Sequence, residues 1–515
     1  MIVIAGTMSN IEFDEIRELA KLIKQANVNS LELFSAADFN DNSNLMTKFF
    51  HGICRNDIAE LSDLKKFIYK TSNVSQSTFR RLFFRFREKL LNTLFFINTN
   101  SSKFTIRAIS YYECAKRFFI SRMISERGFR YAALSIADDS LKIAIKFEFS
   151  ELALNLSKFI ITLSGAMNYR AHLISYYKDI YYEAKNMYLN ELKFSEHSRD
   201  VTAYLNSSHK RSNNPMQSNH FENLIHEAWE CMKAAPSIEL ISSCCVLILN
   251  YNKYNGKFNE FKNNTLLFID ELFKKPFLSV FVLEYLVNEF LKVVLITKDL
   301  STCILIKRKY FNYFNEISFN WFVIRFGYIQ ALLHCHEYFS SYQEINMVFN
   351  IKSFNKQPPI IKQNSLVGYA YIYFLYKIGK IKGVTPDREF RINKFLNEVP
   401  EYSKDKQGVN IPIILIQILF FLADHKHHLI IDRMDSLKLY AYRYLKKDEN
   451  FRSQCFIRML GEMVRAGFKR QGTLFRTKAL TDKLKLVPID TYPATAENEI
   501  IPYEDLWEMV VGLLK

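Results

Sequence analysis

IPIILIQILFFLA (411–423), DHKHH (424–428), LIIDRMDSLKLYAYRYLKK (429–447), DEN (448–450) and FRSQCFIRMLGEMVRAGF (451–468) follow one another directly, and their spacing decides the fold. The first block is apolar on nearly every face, the composition of a helix enclosed by neighbours. The second puts Met434, Leu437, Ala441, Tyr444 and Leu445 on one stripe, and the third does the same with Phe456, Met459, Leu460 and Met463. That is the 3.6-residue period of helices with one buried face. Polar links this short oblige consecutive helices to lie antiparallel, side by side.

Outward from this stretch the composition agrees. Gly and Pro number only 14 and 11 among 515 residues, well under half the average usage of about 12%. Sandwiches, barrels and Rossmann sheets need more tight turns than that, so the expected fold is all-α. The chain exceeds one ordinary core, which leaves several domains or an extended array. Eight scattered cysteines without a C-x-x-C pair fit neither a zinc cluster nor a secreted disulfide framework. The opening residues lack the basic region of a signal peptide, and the apolar run at 411–423 is too short to span a bilayer. A cytoplasmic protein with no membrane partner is expected.

In chain order, helices are expected over 11–26, over 63–70 behind Ser62, and from a Ser75 cap with Phe79, Leu82, Phe83, Phe86, Leu90 and Leu94 inward. Another runs from Thr105 to Arg127 before Gly128, and further ones cover 149–163 and about 176–189. Residues 206–219 (NSSHKRSNNPMQSN) are almost devoid of apolar side chains and read as a linker. Residues 352–364 and 379–387 read as loops around a helix at 365–378, and 487–499 as an irregular segment before a terminal helix opening at Pro502. The expected organisation is an N-terminal helical region (1–128), a first repeat segment (129–205), the linker, a repeat array (220–486), and a C-terminal loop and capping helix (487–515).

One local arrangement returns: a helix, a few polar residues or a Gly, then an aromatic or aliphatic residue opening the next helix. YNKYNGKFNEF (251–261) is the fullest copy, with LITKDLSTC (295–303), HEYFSSYQEI (336–345) and ADHKHHLIID (423–432) as looser ones. The first resembles the intra-repeat turn of tetratricopeptide repeats, although the Trp-Leu-Gly-Tyr signature and a regular period are absent. The resemblance implies a TPR-like α-solenoid of stacked antiparallel helical hairpins, with a surface for a protein or peptide partner.

Catalytic signatures are missing: no phosphate-binding glycine loop, no G-x-S-x-G and no H-E-x-x-H. His334 and His336 flank Cys335, but positions i and i+2 of a helix point apart. His425, His427 and His428 lie in a polar turn. No catalytic residue, metal ligand or cofactor is assigned. Arg458, Glu462 and Arg465 are spaced for a surface ion-pair ladder, and Tyr440, Tyr442 and Arg443 are candidates for a partner-binding surface.

Charge is concentrated. Lys65 to Arg130 holds 15 Lys and Arg against Glu88, Glu113 and Glu126, in a chain whose formal net charge is +16. Within it, KKFIYKTSNVSQSTFRRLFFRFREKL (65–90) has the outline of a helix-turn-helix, a second helix bearing Arg80, Arg81, Arg85, Arg87 and Lys89. Arg81 and Arg85 share an edge, and the other arginines are spread around the helix. Two functions follow as expectations: a bacterial cytoplasmic interaction scaffold without catalysis, or a nucleic-acid-binding regulator that reads through 62–130, with the repeats as sensor or oligomerisation module.

Overall fold

The computed structural model describes residues 44–53, 61–69, 75–95, 105–167, 173–206, 219–386, 388–399, 410–445, 450–489 and 496–515. Among them the chain is all-α, with no strand. The expected helix at 11–26 and nearly all of the 206–219 linker lie outside these residues. No described helix is long and apolar enough to cross a membrane. The chain divides into two compact units, Met1–Tyr188 and Leu189–Lys515.

In the first unit, α1 (Leu45–Ile53), α2 (Leu61–Tyr69) and α3 (Gln76–Phe95) share a small core of Met46, Phe49, Leu64, Ile68, Phe79 and Phe86. Phe49 is its centre, stacked on Phe86 at 4.4 Å and on Phe79 at 5.9 Å. Asn44 and Ser75 cap their helices, accepting from Met46 N and Thr78 N. α2 already begins at Leu61, so Ser62 stands inside the helix and is not its cap. Further along, α4 (Ile106–Glu126), α5 (Arg130–Lys146) and α6 (Ser150–Met167) pack in order. Ala132, Ala133, Ala137 and Ala144 give α5 a slim buried face that admits both neighbours. α7 (Ile174–Asn206) is one continuous helix that runs well past the expected end near residue 189, its residues to Tyr188 counted in the first unit and those from Leu189 in the second.

The second unit is built from α8 (Asn219–Ala234), α9 (Ile238–Tyr254), α10 (Phe258–Phe273), α11 (Val280–Thr297), α12 (Leu300–Tyr310), α13 (Phe319–His334), α14 (Tyr338–Asn350), α15 (Pro359–Lys377), α16 (Ile392–Glu398), α17 (Asn410–Ala423), α18 (His427–Tyr444), α19 (Phe451–Arg465), α20 (Arg470–Leu486) and α21 (Tyr503–Gly512). Helix α15 starts at Pro359, not at 365, because proline lacks only an N–H that the first turn leaves unused. Helices α9, α11, α13, α15 and α17 pack each on the next, and α10, α12 and α14 fit between successive members of that row. The row is therefore enclosed: α17 buries every residue from Asn410 to Phe420.

One turn geometry recurs. At Gly128, Glu148, Gly256, Lys298, His336, Gly379, His425 and Gly467 the backbone is left-handed, φ from 51° to 91°. In each, the N–H of the following residue reaches back five positions: Phe129 to Ile124, Phe149 to Ala144, Lys257 to Asn252, Asp299 to Val294, Glu337 to Leu332, Lys380 to Leu375, Lys426 to Phe421 and Phe468 to Met463, all within 3.3 Å. This is the Schellman cap, which satisfies carbonyls the helix end would orphan. Its last residue often opens the next helix too, as where Lys257 O accepts from Phe261 N and Glu337 O from Ser341 N.

Polar pins hold neighbouring hairpins in register. Lys253 meets Glu289 at 2.6 Å, Asn320 donates to Glu284 at 2.7 Å, and Lys262 meets Asp299 at 2.7 Å. Lys307 pairs with Glu344. The partners stand 36, 36, 37 and 37 positions apart, so one spacing serves two successive steps between hairpins, with two pairs at each. Burial works against the Glu289 charge, but Lys253 and Lys292 outweigh it and hold its carboxyl at about 2.

Candidate functional site

The site grows out of the enclosed row. Leu291 and Leu295 of α11, Phe322, Val323 and Phe326 of α13, and Ile361 and Val367 of α15 line an apolar cavity of about 350 Å³. Gly368 makes the approach of α15 to α13 possible, since a Cβ there would meet Phe326 at 2.7 Å. Around this floor stand Asn288, Lys292, Gln330, Gln363, Asn364 and Ser365, with Asn498 and Ile500 from the C-terminal segment. Carboxamides both donate and accept, as a peptide group does. An apolar hollow with a few convergent polar groups is the ordinary form of a binding site, and this volume lies at the lower end of the usual range of roughly 300–1,000 Å³.

One wall of the cavity is the protein's own main chain. Non-helical residues 499–502 lead into α21, and Glu499 O accepts from Gln330 Nε2 at 3.2 Å and His334 Nε2 at 2.6 Å. A carbonyl can only accept, so the His334 proton is on Nε2. Burial pushes that imidazole down to about 3, with Lys298 and Arg452 adding to the shift, so it is neutral. Below the carbonyl, the Glu499 carboxylate takes Arg452 Nε at 2.6 Å and Nη2 at 2.9 Å. Glu504 takes Nη1 at 2.9 Å and Nη2 at 2.7 Å, and Nη1 also donates to Val487 O at 2.7 Å. All five donors of Arg452 are thus used. Burial pushes the Glu499 carboxyl up, while Arg452 pulls against it.

α21 extends this contact. Tyr503 stacks on Phe456 at 4.7 Å, and Asp505 lies 3.5 Å from Lys298 and 3.8 Å from His336. The C-terminal segment therefore ties the last helices to the α11–α12 and α13–α14 turns. His334 is buried and His336 exposed, so the two flank Cys335 on opposite sides. His427 stacks on Phe468 at 4.0 Å. Among the described residues no group of three or more His, Cys, Asp or Glu side chains could hold a metal ion.

The partner-surface candidates separate. Tyr440 is only 9% exposed, because it follows Leu437 by three residues on the buried stripe of α18. Tyr442 is 71% exposed and edges a second cavity of about 820 Å³ between α18, α19 and α20. Of Arg443 the backbone alone is described. The ladder expected on α19 is not formed with Arg458: Glu462 pairs with Arg465 at 2.5 Å and with Arg476 of α20 at 3.5 Å.

The basic candidates stay together. Arg80, Arg81, Arg85 and Arg87 are all exposed and Lys89 is half-buried. Phe79, Leu82 and Phe86 occupy the inner side of the helix, and the arginines are spread over the rest of it, Arg80 and Arg87 on one flank and Arg81 and Arg85 on the other. Phe84, which the sequence reading passed over, is 63% exposed on the outer side. Arg452, Glu499 and Gln330 were also missed, being far apart in sequence and unmarked by any motif, and His334, noted only beside Cys335 and His336, instead donates to the Glu499 carbonyl. No protein-family model, curated protein or solved structure matches this chain.

Proposed function

We propose that this chain is a non-catalytic interaction scaffold, a TPR-like α-solenoid that receives a protein or peptide partner in extended form. The observation that carries the reading is the apolar cavity between α11, α13 and α15, ringed by carboxamides, beside which Gln330 and His334 already hold a main-chain carbonyl. A surface that holds one non-helical stretch of main chain by a peptide carbonyl has the chemistry to hold another. Peptides selected from a random displayed library on the full chain should lose binding when Val323→Trp fills the cavity. They should keep it when the exposed Leu439 of α18 is changed to Trp. Equal binding to both variants, each shown folded by thermal melting, would sink the reading.

The second reading, a nucleic-acid-binding regulator acting through 62–130, is favoured by the arrangement of α3. Four arginines share the face turned away from the core of α1–α3. Arginines so placed can neutralise phosphates, which makes binding fall steeply with salt. Changing Arg81 and Arg85 together to Ala should weaken a complex and flatten its salt dependence. Absence of any complex at low salt removes this reading.

A further inference from the structure

We propose that α3 binds single-stranded nucleic acid, with Phe84 as a stacking platform for an unpaired base between two pairs of arginines. The inference rests on the nucleic-acid reading and narrows its ligand. At 3.6 residues per turn, Phe84 falls on the outer face, with Arg80 and Arg87 to one side and Arg81 and Arg85 to the other, and position 88, the one glutamate, shares the Arg81 side. The helix segment carries five Lys and Arg against the single Glu88, so the face is complementary to a polyanion. Phe83, 41% exposed, borders the same face and rests edge-on against Phe49 at 5.9 Å. The helix that carries the platform is thereby packed against the core of α1–α3.

An aromatic ring in the middle of a cationic face separates two ligands. On a duplex the bases are stacked inside and the helix face meets phosphates and sugars, so Phe84 would gain no partner for its ring. A single strand offers base faces directly, and stacking is indifferent to sequence because every base has one. The flanking arginines then take the phosphates on either side of the stacked base.

The test uses the full chain and fluorescence anisotropy with a labelled single-stranded oligonucleotide and the blunt duplex of the same sequence, at several salt concentrations. The single strand is expected to bind more tightly. Phe84→Ala should weaken it roughly 5- to 150-fold, the effect of losing one stacked base, with the salt slope unchanged because no phosphate contact is lost. Phe84→Trp should restore binding. Arg81→Ala with Arg85→Ala should instead lower the salt slope by about 1.4. Tighter binding of the duplex, or unchanged affinity in Phe84→Ala, overturns the stacking proposal and leaves the wider reading standing. No binding of either oligonucleotide at low salt overturns both. A fall in melting temperature in Phe84→Ala with affinity unchanged assigns Phe84 to packing and counts against the proposal.

Discussion

Arg452 shows how much one residue can be asked to do. Its side chain is 5% exposed, and it joins α19 to two carboxylates from the C-terminal segment. Desolvating such a charge is costly, and the arrangement is stable only because every donor is met. Arg452→Ala leaves Glu499 buried without its counterion and should cost about 3–5 kcal/mol, read from the urea midpoint. Arg452→Lys should recover little of this, since an ammonium cannot fork to two carboxylates. His334 supplies a pH signature nearby. Its folded-state value of about 3 lies below the ordinary 6.5, so below pH 6.5 the unfolded chain takes up a proton that the folded one refuses. Its contribution is complete above that pH and declines by up to about 1.4 kcal/mol per unit as pH falls toward 3. His334→Gln, which keeps a donor for the Glu499 carbonyl, should flatten the stability profile over that window. An unchanged profile would show that other groups dominate it.

At the level of the element, the repeated cap explains both what could be read from the sequence and what could not. The helices were legible because apolar positions recur at 3.6 residues: Phe456, Met459, Leu460 and Met463 are all at most 1% exposed, as their spacing implies. The stack's spacing was hidden because its turn residue is Gly at 256, 379 and 467 but Lys at 298 and His at 336 and 425. A left-handed residue other than Gly costs about 1–2 kcal/mol, which the cap's hydrogen bonds sustain. His425→Gly, at φ 55°, should therefore stabilise the chain by about 0.5–1 kcal/mol after the extra flexibility of Gly when unfolded is subtracted. Gly256→Ala tests the opposite sign. A Cβ there meets nothing within 4 Å, so any loss comes from the backbone at φ 67° alone, and about 1 kcal/mol is expected in a thermal melt.

On the scale of the whole molecule, the candidate site depends on contacts that no local pattern announces. Gln330 and His334 meet Glu499 across 169 and 165 positions, and Arg452 meets it across 47. The sequence reading placed the terminal helix as a cap on the last repeat, and Tyr503 and Trp507 do pack on Phe456. What spacing could not reveal is that the residues before α21 reach α11 and α13, because that choice is made by a buried carbonyl and one Arg–Glu pair. The consequence is a cooperative one. Deleting 496–515 removes the counterions of Arg452, the acceptor of Gln330 and His334, and the cover from the inner face of α13. If the segment is the link between distant helices, amide exchange should quicken in α13 (319–334) as well as in α19 and α20 (451–486), and the unfolding transition should broaden. If it is only an end cap, exchange should quicken in α19 and α20 while α13 keeps its protection. The two outcomes separate a linking role from a local one without reference to any partner.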